Sequence, residues 1–332
     1  MSGATRPANN RMEPDAERDV CVLGRIGYDL YALDHHRPLP EVERFERKLG
    51  GSSANMAVGL ARLGLRVGMI GALGDDALAE YLLGFLHGEG VDTRFVRRVA
   101  GYNTSLCLTE VSPPDRFPQV FYRREAADTQ MSVGPAELDY VREARLFVTN
   151  GTSLAADPSR QGTLDALEAA RHAGARTVLD VDYRASSWPS PGEAGRQAQR
   201  ALPFSDVVVG NEDELELLTG ERDAGRQVRQ VLDAGVGLVV RKLGARGVEA
   251  HTREGSSFAA PFTVDVVSTI GAGDGFASGF LYALHRGRPL AECLRQGNAA
   301  AAVVVSRVGC SDAMPYEHEL QVLLAANPPA AP

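Results

Sequence analysis

Ser268-Thr269-Ile270-Gly271-Ala272-Gly273-Asp274-Gly275 brings a run of small residues and one carboxylate to a predicted helix start. Downstream, Phe276, Ala277, Phe280, Leu281 and Leu284 recur at helical spacing. His285 and Arg286 fall in the last turn, with Gly287 as the stop and Pro289 beyond it. Upstream, residues 262–267 read as a β-strand. Strand, glycine turn and helix in that order leave unbonded backbone N–H groups at the helix start, aimed at an anion. Glycines at 271 and 273 let a bulky anion approach the main chain without meeting a Cβ. Two readings of Asp274 stand side by side. Aspartate is a favoured helix cap; a carboxylate beside a bound anion is also where a proton could be handled.

Other polar groups sit at the ends of apolar runs. Asp29 follows the short run at residues 20–24, beyond the strand end where open α/β sheets bind ligands. Gly50-Gly51-Ser52-Ser53-Ala54-Asn55 is a glycine turn opening a small-residue helix that closes on Gly64, with Asn55 one turn in. Asp180-Val181-Asp182-Tyr183-Arg184 and Asn211-Glu212-Asp213-Glu214 follow two further strands, and Lys242-Leu243-Gly244-Ala245-Arg246-Gly247 makes a glycine turn. From residue 145 onward strand and helix alternate, with strands near 146–149, 177–181, 207–210 and 237–241. That alternation predicts a doubly wound, mostly parallel sheet flanked by helices. Residues 102–124 break it: two strands joined by a Pro-Pro-Asp turn with no helix between. With the stretch 29–49 they predict a small antiparallel β lid over the ligand-binding edge, of the kind that closes to exclude water.

Composition narrows the function. The chain has 332 residues, 44% hydrophobic and 23% charged, enough for one large α/β domain with a sizeable core. A net charge of −8 argues against nucleic acid or an anionic membrane as partner. No apolar run approaches bilayer-spanning length. Residues 1–18 read as a disordered leader without a signal-peptide core, and the Ala/Pro-rich residues 325–332 as a disordered tail, bounding one domain over 19–324. Cys21, Cys107, Cys293 and Cys310 are scattered without a C-x-x-C pair, which speaks for packing roles and a reduced, cytoplasmic setting. Gly24 and Gly27 do not complete a dinucleotide-binding G-x-G-x-x-G, His35 and His36 lack a third metal ligand, and no G-x-x-x-x-G-K-[ST] loop is present.

Gly50-Gly51-x-x-x-Asn55 near the start and Gly271-Ala272-Gly273-Asp274 through Ser278-Gly279-Phe280-Leu281 near the end together resemble the ribokinase-like (PfkB) family of carbohydrate and nucleoside kinases. The likeness runs from about residue 19 to 315; Gly64 and Gly74 fall in place, and Ser53 stands where the family usually has Gly, Ala or Pro. The resemblance implies ATP and Mg²⁺ as cofactors and a small-molecule sugar or sugar acid as substrate. It assigns Asp274 as the base, the amides of Gly271, Ala272 and Gly273 as the anion hole, and Asp29, Gly51 and Asn55 as sugar contacts. Asn211 and Glu214 match the pair that organises Mg²⁺; Lys242, Gly244, Gly247 and Asn298 match nucleotide contacts. Some relatives bind a monovalent cation through an Asp six residues before the base; Ser268 stands there, so no potassium site is implied. Gly24-Arg25-Ile26-Gly27-x-Asp29, Tyr122-Arg123 and Asp182-Tyr183-Arg184 are similar to members that act on keto sugar acids, whose carboxylate Arg123 and Arg184 would hold in bidentate fashion. A 2-keto-3-deoxygluconate kinase, then a ribokinase- or fructokinase-type enzyme, and a catalytically silent sugar or nucleotide sensor, are the alternatives. The lid strands leave edges through which a homodimer could form.

Overall fold

The computed structural model describes residues 18–114 and 116–328. Most of the expected leader and tail lies outside these residues. Arg18 belongs to the first strand and residues 325–326 to the last helix. The strands are β1 (Arg18–Leu23), β2 (Gly27–Ala32), β3 (Phe45–Gly50), β4 (Val67–Gly74), β5 (Asp92–Val99), β6 (Leu106–Thr109), β7 (Gln119–Tyr122), β8 (Ala144–Asn150), β9 (Arg176–Asp180), β10 (Val207–Asn211), β11 (Leu238–Lys242), β12 (Val248–His251) and β13 (Ser256–Ala259). The helices are α1 (Ser52–Arg62), α2 (Ala77–Gly88), α3 (Pro135–Arg142), α4 (Ser159–His172), α5 (Pro191–Ala201), α6 (Glu212–Thr219), α7 (Ala224–Asp233), α8 (Ala272–His285), α9 (Leu290–Val305) and α10 (Glu317–Ala326).

Among the described residues the main sheet has nine strands in the order β13-β12-β11-β10-β9-β8-β1-β4-β5. It is parallel from β11 to β5, and β12 and β13 add an antiparallel edge. The central strands are nearly continuous apolar runs because both faces are covered. Val20 and Val22 join the apolar cluster under α1, α2, α8, α9 and α10, while Cys21 and Leu23 join the one under α3 to α7. Val207 and Val209 divide from Val208 in the same way. Strand alternation thus splits one run between two cores.

One sequence expectation needs correction. Residues 262–267 form no strand: Pro261 interrupts the chain after β13, and the amides of Val267 and Ser268 both donate to Val305 O at the end of α9. Residues 92–99 form edge strand β5, paired in parallel with β4.

The lid is a four-stranded sheet in the order β3-β2-β6-β7. Its outer pairs are antiparallel as expected, but its centre joins β2 and β6 in parallel, since the long excursion between them returns on the same side. In β7 the alternation turns Gln119 and Phe121 toward the cavity and leaves Val120 and Tyr122 43% and 60% exposed. Arg123, the next inward position, ties the lid to the core. Its Nε donates to Asp128 Oδ2 (2.6 Å), Nη1 to Ser187 Oγ (2.8 Å) and Nη2 to Thr152 O (2.8 Å). Both charges are buried, and removing one partner of a buried pair strands the other. Arg123→Leu is therefore expected to lower unfolding stability by about 3–5 kcal/mol. In urea titrations, the Arg123→Leu/Asp128→Leu double substitution should recover much of that loss; equal losses in both variants would contradict the assignment.

Candidate active site

Gly271 caps α8 in the left-handed region (φ 77°), a conformation that glycine adopts without strain. The first turn of α8 lines a cavity of about 870 Å³ that lies between the lid and the ends of β9, β10 and β11; within it the Ala272 amide makes only a long bond, to Thr269 O (3.4 Å). That volume suits a nucleotide and a small substrate together. Asp274 is not the helix cap: it lies in the first turn, and its buried carboxylate accepts from Ser52 Oγ (2.7 Å, to Oδ1) and Asn55 Nδ2 (2.7 Å, to Oδ2). Both donors sit in the first turn of α1. Burial first, and then the charge of Asp182, raise the Asp274 pKa to about 6, against the two hydrogen bonds and Arg184. A carboxylate with that pKa is ionised at neutral pH yet basic enough to take a proton.

Around it the cavity alternates charges. Lys242 Nζ lies 3.2 Å from Asp180 Oδ1 and 3.7 Å from Glu214 Oε2. Burial opposes its charge, but Asp180 and Glu214 more than offset that and hold its pKa above the ordinary lysine range. A Cβ placed on Gly273 would meet Lys242 Nζ at 3.6 Å, so the ammonium faces the head of α8. Arg184 pairs through Nε with Asp182 Oδ1 (3.1 Å), and its side chain keeps 48% exposure at the cavity wall. The Asp182 charge raises its pKa further.

Every expected site residue but one lines this cavity. Tyr122 does not, because strand alternation turns it to the lid's outer face; Phe121 takes the inward place. Several others line it and are also held by the chain itself. Asn55 has its amide given to Asp274, and its Oδ1 accepts from Ser311 Oγ (2.5 Å). Asn298 Nδ2 donates to Ala259 O (3.0 Å) and Ala260 O (2.9 Å), which anchors the irregular wall after β13. Gly244 and Gly247 flank a short 3-10 turn, both at positive φ. Gly51 (φ 95°) precedes α1. Asn211 and Glu214 form a capping box on α6, and Glu214 Oε1 also accepts from Tyr183 N (3.2 Å).

No group of three His, Cys, Asp or Glu side chains among the described residues is arranged to hold a metal. That donor set fits Mg²⁺ in its usual form, carried by phosphates and waters with one or two carboxylates nearby, here Glu214 and Asp180. Sequence reasoning gave no site role to Arg25, Ser52, Asp180 or Asp182, all of which line the cavity. For Ser52 the signal was present: an N-terminal hydroxyl three residues before Asn55 puts both on one helix face.

Residues 17–317 match the model of the pfkB family carbohydrate kinases. The chain belongs to that family. It is 34% identical over 318 residues to a 5-dehydro-2-deoxygluconokinase of Halalkalibacterium halodurans, covering 94% of this chain and 96% of the relative. A 5-dehydro-2-deoxygluconokinase of Geobacillus kaustophilus is 36% identical over 303 residues, 90% of each chain. Among solved structures, a PfkB protein from Polaromonas sp. JS666 superposes with a TM-score of 0.81 at 30% identity, covering 92% of this chain and 99% of that one. Fructokinase of Xylella fastidiosa with bound ATP gives 0.83 at 26%, covering 94% and 99%. As a PfkB member the chain is a sugar kinase. No helix among the described residues is long and apolar enough to cross a membrane.

Two measurements check the Asp274 assignment together. Asp274→Asn should lose about 10²- to 10⁴-fold in kcat, while its thermal midpoint at pH 8 stays at or above that of the parent protein. The sign follows from linkage: a carboxyl whose folded pKa is raised contributes stability at low pH that is lost as pH rises through about 6. Parent kcat/KM should fall below about pH 6, and Ser52→Ala, which removes a bond to the charged form, should shift that limb upward. Near-normal turnover by Asp274→Asn, or a downward shift in Ser52→Ala, would be incompatible with this role.

Proposed function

We propose that the protein transfers the γ-phosphoryl group of ATP to the primary hydroxyl of a keto sugar acid, 5-dehydro-2-deoxygluconate. The single observation that carries this reading is the buried Asp274 carboxylate at the amide-lined head of α8, with half-exposed Arg184 at the same cavity wall. The name shared by relatives at 34–36% identity supports the substrate. Asp274 takes the hydroxyl proton as the new O–P bond forms and the bond from the γ-phosphorus to the ADP oxygen breaks. Amides at Gly271, Ala272 and Gly273, with Lys242 beside them, face the charge on the transferring group. Mg²⁺, when bound with ATP, neutralises phosphate charge and helps to align the γ-phosphoryl. Arg184 receives the substrate carboxylate; Arg123, with three bonds to protein, braces the lid instead.

ADP formation measured over keto sugar acids, fructose and ribose tests the reading. The sugar acid should be preferred, and Arg184→Met should lower kcat/KM for it by about 10- to 100-fold, the value of a charged hydrogen bond, with little effect on hexoses. Equal use of fructose by the parent protein would favour a fructokinase-type enzyme.

Turnover is proposed to be independent of potassium, since position 268 offers a buried serine whose Oγ already accepts from Ile270 N (3.2 Å). The reading also includes a reducing, cytoplasmic setting, supported by four buried free cysteines. It includes a homodimer through the lid, supported by Leu33, Val120 and Tyr122 exposed on it. Size-exclusion chromatography should show Tyr122→Glu shifting a dimer to monomer; an unchanged elution would remove the lid as the interface.

A further inference from the structure

We propose that Arg25 is a specificity-determining residue: with Asp29 it forms a buried donor–acceptor pair that recognises one secondary hydroxyl of the sugar substrate. This rests on the sugar-acid kinase reading and deepens it. Arg25 and Asp29 are 8% and 5% exposed, and both line the cavity. Arg25 Nη2 and Asp29 Oδ1 are buried atoms without a hydrogen-bond partner in the protein. They stand 3.7 Å apart, an ion pair too long to be a hydrogen bond. Buried polar groups are nearly always hydrogen-bonded, so two neighbouring atoms left without such a bond in a binding cavity point to a ligand group that bridges both from the cavity side.

The surroundings hold the pair in place. Arg25 Nε donates to Ser105 Oγ (3.1 Å), and the Phe121 ring lies 5.5 Å from the guanidinium carbon. A Cβ on Gly27 would come within 2.3 Å of Arg25 Nη2, and one on Gly50 within 2.0 Å of Asp29 Oδ2. Two glycines of paired lid strands thus clear the space that the pair occupies.

The chemistry of the slot selects its occupant. A substrate carboxylate would meet Asp29 at close range, and a keto oxygen accepts but cannot donate. A hydroxyl does both: it accepts from Nη2 and donates to Oδ1, which closes both orphans at once. A site built around a substrate hydroxyl rejects the analogue that lacks it far more strongly than an apolar pocket rejects a missing methylene. In 5-dehydro-2-deoxygluconate the secondary hydroxyls are those on carbons 3 and 4, so one of these fills the slot.

The test is steady-state kinetics with 5-dehydro-2-deoxygluconate and its analogues lacking the hydroxyl at carbon 3 or at carbon 4. With the parent protein, one analogue should lose about 100-fold or more in kcat/KM. Arg25→Met should lose a similar factor on the full substrate and almost nothing further on that analogue. Arg25→Lys, which keeps the charge but not the fixed fork, should show partial loss with the same dependence on the hydroxyl. ATP binding, followed in parallel for each variant, reports whether the fold is intact. Parent turnover separates two kinds of failure. If the parent phosphorylates the full substrate but Arg25→Met loses equally on all three compounds, or Arg25→Met loses nothing, the Arg25 assignment is overturned alone. If the parent phosphorylates none of them, the substrate reading falls and takes this inference with it.

Discussion

The arrangement depends on a carboxylate kept out of water. Asp274 is held by Ser52 and Asn55, residues more than two hundred positions earlier in the chain. Those hydrogen bonds join the first turn of α1 to the first turn of α8, so two helix starts converge on one group. Burial makes the charge costly, and the bonds make it tolerable. The balance leaves a base strong enough to act near neutrality. The same two helices share one apolar cluster with α9, so the position of the carboxylate is set by core packing rather than by a loop.

Along the cavity wall the charges are arranged as alternating partners. Lys242 is held by Asp180 and Glu214 and still faces the head of α8. Arg184 is held by Asp182 and still reaches the cavity. Each cation is fixed from behind by a carboxylate and presents its remaining donors forward. This is preorganisation in the sense that matters for phosphoryl transfer, where positioning and charge do most of the work.

Much of this was legible in the sequence. The parallel sheet followed from apolar runs of four or five residues separated by helical patterns, because a strand covered on both faces needs no polar alternation. Gly271 to Asp274 and Gly50 to Asn55 announced the two helix starts through residue type and spacing. What stayed hidden depended on direction and partnership. Tyr122 and Arg123 are adjacent, yet only the arginine faces inward, a matter of strand phase that the apolar lid residues did not reveal. Arg123 looked like a ligand for an anion, and the anion proved to be the chain's own Asp128. Asn211 and Glu214, expected beside Mg²⁺, are also joined as a capping box, a second use of the same residue types that the sequence did not announce. The expected strand at 262–267 failed because propensity says nothing about whether a neighbour is available to pair.

The two-faced character of β7 has a consequence for how this chain can vary in length. Its inward side carries Gln119 and Phe121, its outward side Val120 and Tyr122, and Arg123 must follow in phase to reach Asp128. Inserting or deleting one residue within the strand would exchange the two faces and detach the brace in a single step. The preceding turn, where Ser112 and Arg116 bridge, carries no such phase requirement. Length changes in descendants of this chain should therefore collect in that turn, leaving the short strand after it uninterrupted.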